Sequence, residues 1–101
     1  TVSAVAVVVA RVEVPVTEGQ EEAFAKAMSE KGLKILAAAA GCASARLGRG
    51  VESPSKFLLL LEWDAVESHI AFTKTEEFGE FVAVARPFFA GPTSMEHFAM
   101  L

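Results

Sequence analysis

Apolar residues follow two different spacings along this chain, and the change of spacing marks the predicted elements. Two nearly continuous apolar runs occupy residues 4–14 (AVAVVVARVEV) and 56–63 (KFLLLLEW). Runs of this length, rich in Val and Leu and bounded by turn residues, are typical of strands. Two weaker patterns, at residues 42–51 (CASARLGRGV) and 94–101 (SMEHFAML), predict two further strands.

The longest helical pattern lies between the first two strands. Residues 17–20 have the T-x-x-Q form of a capping box, which predicts that the helix begins there. Gly41 predicts its end after about residue 40, and Gly32 predicts a kink or a close contact within it. The apolar residues at near-helical spacing on one face are Phe24, Met28, Ile35 and Ala39.

Two shorter helices are predicted in the second half of the chain. The sequence DAVE forms another capping box with Asp64 as the N-cap, so His69 shares a helix face with Val66 and Ile70. Thr75, followed by two glutamates, predicts the N-cap of the next helix. The apolar face of that helix consists of Phe78, Phe81, Val82 and Ala85.

The predicted order of elements is β-α-β-β-α-α-β over one domain, residues 1–101. This order indicates an α+β fold, a ferredoxin-like split β-α-β sandwich with a four-stranded antiparallel sheet and the helices on one face. Both faces of strand 56–63 are apolar, with Phe57, Leu59, Leu61 and Trp63 on one and Leu58 and Leu60 on the other. Because helices cover only one face, we expect the other to pack on a second copy, which predicts a homodimer.

Composition narrows the possible partners. A net charge of −4 with scattered Lys and Arg argues against nucleic acid, which requires a basic stripe. No apolar run reaches the roughly 20 residues of a membrane span, and no basic segment precedes the apolar start as in a signal peptide. Cys42 is the only cysteine, which favours a reducing cytoplasm. An apolar content of 52% in 101 residues favours a partner surface or a pocket.

Candidate chemistry concentrates in the sequence EWDAVESHIAF, which contains the only tryptophan, Trp63, and one of two histidines, His69. Imidazole accepts a proton near neutral pH, so His69 is a candidate general base. The alternative is that Trp63 and His69 only pack the domain together. His97 on the last strand faces either the cavity or an interface. The two histidines have no metal-ligand spacing, so no metal site is predicted.

A pocket for a flat aromatic molecule would suit the aromatic residues crowded into residues 72–89. Core packing is the alternative for most of these rings. Arg86 is the one cation in this cluster, either a solvated helix end or a partner for a substrate oxyanion. The candidate ligand-binding residues are Leu59, Phe72, Phe78, Phe81, Arg86 and His97.

Four stretches in this order resemble the antibiotic biosynthesis monooxygenase family: Gly41–Cys42, GRGVESPSKFLLLLEW, WDAVESHIAF and RPFFAGPTSMEHF. The resemblance covers nearly the whole chain. It implies a dimeric α+β barrel, in which two sheets face each other and each subunit holds a mostly apolar cavity between sheet and helices. Some members of the family oxidise aromatic phenols to quinones with O2 and use no flavin or metal, whereas others degrade haem.

The resemblance also implies roles for particular positions. Quinone-forming members use a tryptophan on the third strand, an asparagine four residues before it and a tyrosine six residues after it. This chain has Trp63, Leu59 and His69 there. Haem-degrading members place a histidine ten residues after the tryptophan, where this chain has Thr73. The chain contains neither asparagine nor tyrosine.

The resemblance therefore implies a cofactor-independent monooxygenase that acts on a small phenol or quinol as a homodimer. Trp63 shapes the pocket, His69 acts as the base, and His97 or Arg86 assists. A non-enzymatic domain that binds a small hydrophobic metabolite is the alternative, and haem binding through His69 or His97 is the third possibility.

Overall fold

A computed structural model describes residues 7–101. Its centre is a four-stranded antiparallel sheet with strand order β2-β3-β1-β4. The strands are β1 (Val8–Pro15), β2 (Cys42–Arg49), β3 (Lys56–Trp63) and β4 (Ser94–Ala99). The α+β, ferredoxin-like prediction is confirmed. The part of the predicted first strand at residues 4–6 lies outside the described residues.

Helical elements follow β1 and β3. A continuous helical segment comprises α1 (Glu21–Ala27), a π turn (Met28–Gly32) and α2 (Leu33–Ala37). Beyond β3 come α3 (Val66–Phe72), α4 (Glu76–Ala85) and a 3-10 turn (Arg86–Phe88). No helix in residues 7–101 is both long and apolar enough to cross a membrane.

The core forms between the helices and one face of the sheet, because side chains of a strand alternate between its two faces. The side chains of Phe57, Leu59, Leu61 and Trp63, predicted to share one face of β3, are all buried, and these residues pair across the sheet with the inward residues of β1. The largest fully buried side chains are Trp63, Phe24, Phe57, Met28, Val14 and Val16.

The long helical segment departs from its predicted apolar face. Phe24 and Met28 are buried as predicted, but Leu36 is buried in place of Ile35 and Ala39, which are partly exposed. The π turn explains the difference, because its wider i→i+5 turn changes the phase of every later residue. Gly32 lies in this turn, where an added Cβ would stand 2.5 Å from the Met28 sulfur.

Two of the three predicted N-caps are wrong. The first helix has Gln20 at its N-cap position, and the third has Ala65 rather than Asp64, both without a side-chain cap bond. Asp64 instead accepts a hydrogen bond from Ser68 Oγ. Thr75 caps α4 as predicted, since its Oγ1 accepts a hydrogen bond of 3.3 Å from Phe78 N–H.

Candidate functional site

The end of β3 and the start of α3 bring a tryptophan and a histidine into contact. Trp63 is the last residue of β3 and points inward, and α3 begins three residues later. His69 therefore lies one turn into α3, with its ring stacked on the indole at a centroid distance of 4.8 Å and an interplanar angle of 8°. His69 is buried, with 7% of its surface exposed, whereas Ile70 faces outward and is 48% exposed. The predicted grouping of Ile70 with His69 on an inward face is wrong.

His97 also contacts His69, and it comes from β4, the strand at the edge of the sheet. It lies on β4 directly opposite Ala10 of β1, and Ala10 is in turn opposite Leu61 of β3. The small side chain of Ala10 leaves room above the sheet between these two neighbours. His97 Nε2 lies 2.8 Å from His69 Nδ1, and the two rings are edge to face. The structure thus pairs the two histidines of the chain.

Burial lowers the pKa of His69 below its ordinary value near 6.5, and the proximity of His97 lowers it further. A low pKa means that the imidazole is neutral at physiological pH and has a free lone pair on one nitrogen. Nδ1 of His69 is hydrogen-bonded to His97, so Nε2 is the ring nitrogen that is left to accept a proton.

An apolar cavity of about 500 Å³ opens beside this pair, between the sheet and α4. Its volume is within the usual range for small-molecule sites. Polar lining side chains are few among the described residues: His69, Thr73, Arg86 and Thr93. The apolar lining residues are Val12, Val14, Leu36, Leu59, Leu61, Phe72, Phe78, Phe81, Val82, Phe89 and Met95.

The structure places the predicted site residues in two groups. One group lines the cavity: His69, Leu59, Phe72, Phe78, Phe81 and Arg86. Trp63 and His97 stand behind His69 and do not line it. Trp63 is fully buried, and its Nε1 has no hydrogen-bond partner among the described residues. These positions make Trp63 and His97 supports of His69.

Several lining residues were missed by the sequence reasoning. Val12 and Val14 alternate with charged residues along β1, and this period of two is a signal that could have placed them on the inward face. Met95 lies two residues before His97 on β4, and the same period of two places both side chains on the inward face. Thr93 lies in the segment before β4, where no periodicity predicts orientation.

A second, larger depression of about 730 Å³ lies on the surface between α2, α3 and α4. Ile35 and Ala39 line it, together with Phe72. The Asp64–Ser68 pair lies at its edge near Gly41. The two histidines do not line it, so it is separate from the chemistry of the cavity.

Other reactive groups are sparse in the described part of the chain. Within residues 7–101 no three His, Cys, Asp or Glu side chains cluster as metal ligands. Cys42 is partly buried, and burial raises the pKa of its thiol, so it is not poised as a thiolate nucleophile. His69 is thus the group with the surroundings of a general base in the cavity.

Comparison with known proteins gives one family. The sequence description of the antibiotic biosynthesis monooxygenase family matches residues 6–84. The uncharacterized protein YczJ of Bacillus subtilis (strain 168) is 30% identical over 84 residues, which cover 82% of this chain and 87% of YczJ. This match extends over most of both proteins.

Solved structures share the fold. A provisionally assigned antibiotic biosynthesis monooxygenase from Bordetella bronchiseptica has a TM-score of 0.89 at 23% identity, covering 95% of this chain and 98% of its own. A similarly assigned protein from Nitrosomonas europaea has a TM-score of 0.81 at 16% identity, covering 100% and 96%. At these identities the likeness concerns the fold.

Proposed function

Because the chain belongs to the antibiotic biosynthesis monooxygenase family, we propose that it oxidises a small phenol or quinol with O2 inside the apolar cavity, without flavin or metal. One observation carries the proposal: a buried imidazole with a lowered pKa lies on the wall of a cavity whose other lining is mostly apolar. A neutral base in an apolar site is suited to take a proton from a weak acid such as a phenol.

The proposed reaction begins with transfer of the phenolic proton to His69 Nε2. The resulting phenolate carries electron density at its para carbon, which forms a C–O bond with O2 and gives a peroxide anion. His69 returns the proton to the peroxide. Cleavage of the O–O bond and loss of the para hydrogen then yield the quinone and water, so that ArOH and O2 balance quinone and H2O. A hydroquinone has no para hydrogen and reacts at an ortho carbon instead, where the same steps give the hydroxyquinone and H2O. The substrate supplies the electrons.

The remaining residues act on the position of the substrate and of the base. The rings of Phe72, Phe78 and Phe81 provide flat apolar surfaces for an aromatic molecule and displace water. Arg86, at the end of α4, supplies a positive charge for a substrate oxyanion. Trp63 stacks on His69 and limits its rotation.

A homodimer is part of the proposal. The outer face of the sheet carries apolar side chains that the helices do not cover. Leu58 and Leu60 of β3 remain partly exposed, and Phe98 of β4 is 43% exposed. Packing against a second copy, sheet on sheet, would remove this apolar surface from water. A single cysteine, Cys42, fits assembly in a reducing cytoplasm.

The decisive experiment is O2 uptake with anthrone, whose enol is a phenol, and with a hydroquinone, each corrected for the uncatalysed rate. We expect turnover by the wild-type protein and a loss of about 100-fold or more in His69→Gln. Ile70→Gln is the matched control, since Ile70 is the exposed neighbour on α3, and it should retain activity.

The other outcomes identify the other functions. Thermal stabilisation by these aromatic molecules without O2 uptake would identify a binding domain instead. A shift of the haem Soret band on mixing, lost in His69→Gln, would favour haem binding. Equal turnover by the wild-type protein and His69→Gln would reject the assignment of His69 as the base.

A further inference from the structure

We propose that His97 is a positioning residue that fixes the tautomer of His69. In this arrangement His69 Nδ1–H donates to His97 Nε2, and His69 Nε2 keeps its lone pair toward the cavity. The inference rests on the proposed function for its catalytic meaning. The tautomer itself is a property of the folded protein and is measurable without any turnover.

The geometry leaves two arrangements for one shared proton. The His69 Nδ1 to His97 Nε2 distance of 2.8 Å is a hydrogen bond, so one nitrogen donates and the other accepts. If His69 donates, its Nε2 is a bare acceptor. If His97 donates, neutral His69 must carry its proton on Nε2, and the cavity then faces an N–H donor that cannot take a proton.

The surroundings of Nε2 favour the first arrangement. Trp63 Nε1 is a fully buried side-chain nitrogen without a partner in the described residues, but His69 Nε2 is not, so Nε2 retains accessible space. His69 lines the cavity, and because its Nδ1 is turned to His97 we assign this space around Nε2 to the cavity. Buried backbone N–H groups are left unpaired less often than buried acceptors, and we apply the same preference to the imidazole nitrogens. The apolar lining of the cavity and a phenol, which is a donor, therefore select the same tautomer.

His97 is held in place for this role by the sheet. Its backbone pairs with Ala10 in the β1–β4 register, and its side chain is only partly buried, so its Nδ1 can exchange hydrogen bonds with water. Arg86 lies elsewhere on the cavity wall, and Glu96 points to the other face, where it pairs with Arg11.

The same bond supports the reaction after proton transfer. When Nε2 takes a proton, His69 becomes an imidazolium, and its Nδ1–H then makes a charge-assisted hydrogen bond to neutral His97. Without that acceptor the buried cation would leave an N–H unpaired. His97 thus fills the orienting position that a carboxylate occupies in other base–orienter pairs.

The test is the ring-nitrogen NMR of His69 in the full chain at pH 8, in the wild-type protein, His97→Gln and His97→Leu. The Gln side chain keeps an oxygen acceptor, whereas Leu has none. We expect Nδ1–H with bare Nε2 in the wild type and in His97→Gln, and a shift toward Nε2–H in His97→Leu. In the wild type, Nε2–H would overturn the proposal, as would an unchanged tautomer in His97→Leu.

The kinetic arm uses O2 uptake with anthrone. His97→Leu should lower kcat by roughly 10- to 100-fold with little change in KM, the size common for partners that orient a functional imidazole. His97→Gln should recover most of kcat. If the wild-type protein shows no turnover, the proposed function fails, and the NMR result still decides the tautomer.

Discussion

The imidazole of His69 lies flat on the indole of Trp63, with ring centroids 4.8 Å apart and planes within 8°. Behind this stack Trp63 is fully buried and also touches Phe72, at a centroid distance of 5.9 Å. The tryptophan is therefore the support for the base rather than a wall of the cavity. This relationship determines what substitution of Trp63 should do.

Replacing Trp63 should affect stability according to how much of the ring remains. Trp63→Ala leaves a large void and should cost about 3–5 kcal/mol in the free energy of unfolding. Trp63→Phe should cost clearly less, because a ring still packs on His69 and the removed Nε1–H has no partner within residues 7–101. Urea unfolding followed by circular dichroism measures both. Equal losses in the two variants would mean that the stack contributes little.

Stability should fall as the pH drops below about 6.5. The pKa of His69 is lowered by burial in the folded protein, so the unfolded chain binds a proton at a higher pH than the folded chain does. The contribution of His69 is thus fully present above its unfolded pKa and is lost as the pH falls through the folded pKa. Unfolding midpoints between pH 8 and pH 5 measure this.

A matched variant isolates the contribution of His69 to that pH dependence. His69→Phe keeps an aromatic ring beside Trp63 but has no titrating group, so its loss of stability over the same pH range should be smaller. An identical pH profile in the wild-type protein and in His69→Phe would assign the dependence to other groups.

Alanine substitutions at Gly41 and Gly19 distinguish the energetic cost of backbone strain from the cost of steric crowding. Both have positive φ, +86° at Gly41 and +91° at Gly19, so alanine should cost about 1 kcal/mol at either position. An added Cβ at Gly19 meets open space, whereas at Gly41 it would stand 2.6 Å from Ser68 Oγ and 2.7 Å from Asp64 Oδ1. Gly41→Ala should therefore be more destabilising by a further 1–3 kcal/mol or so.

The comparison of unfolding free energies for the two alanine variants tests this account. If Gly19→Ala were as damaging as Gly41→Ala, the contact between Gly41 and the start of α3 would not matter. That contact also includes a backbone hydrogen bond of 2.8 Å from Asp64 N–H to the Gly41 carbonyl.

Gly32 and Gly79 form a second pair, since both are helical with ordinary φ. Gly79→Ala on α4 adds a Cβ to open space and should stabilise the protein by about 0.5–1 kcal/mol. At Gly32 the added Cβ would stand 2.5 Å from the Met28 sulfur and 3.6 Å from Phe81. Displacing that core side chain should cost about 1–3 kcal/mol. Thermal unfolding should show a higher midpoint for Gly79→Ala and a lower midpoint for Gly32→Ala than for the wild-type protein. A higher midpoint for both variants would show that Met28 moves freely.

The proposed dimer predicts a selective effect of charge on the outer face of the sheet. Leu58→Glu places a carboxylate on the outer face of β3, opposite Glu13 of β1, and should convert the dimer to a monomer at micromolar concentration. Val51→Glu is the control, because Val51 is 88% exposed in the turn between β2 and β3. Sedimentation equilibrium measures the mass. A monomeric wild-type protein would contradict the dimer outright.

The sequence by itself was sufficient to predict the structure of those segments in which local periodicity controls the side-chain orientation. Strand β3 occupies the predicted residues, and the four side chains predicted to share one face are all buried, because alternation on a strand has a fixed period of two. The order of elements follows from the same local signals, whereas the family follows from the resemblance of four stretches over nearly the whole chain. Trp63 and His69 could be named as neighbours because a strand end and a helix start only a few residues apart connect them.

Features that depend on distant parts of the chain were decided only by the tertiary structure. The face of the first helical segment follows from a π turn that has no local signature beyond Gly32. The pairing of His69 with His97 follows from the strand order, which places β4 beside β1 and aligns His97 with Ala10. Sequence spacing predicts which side chains share a face of one element, but contacts between elements depend on how the elements pack, and that packing produces the cavity beside the two histidines.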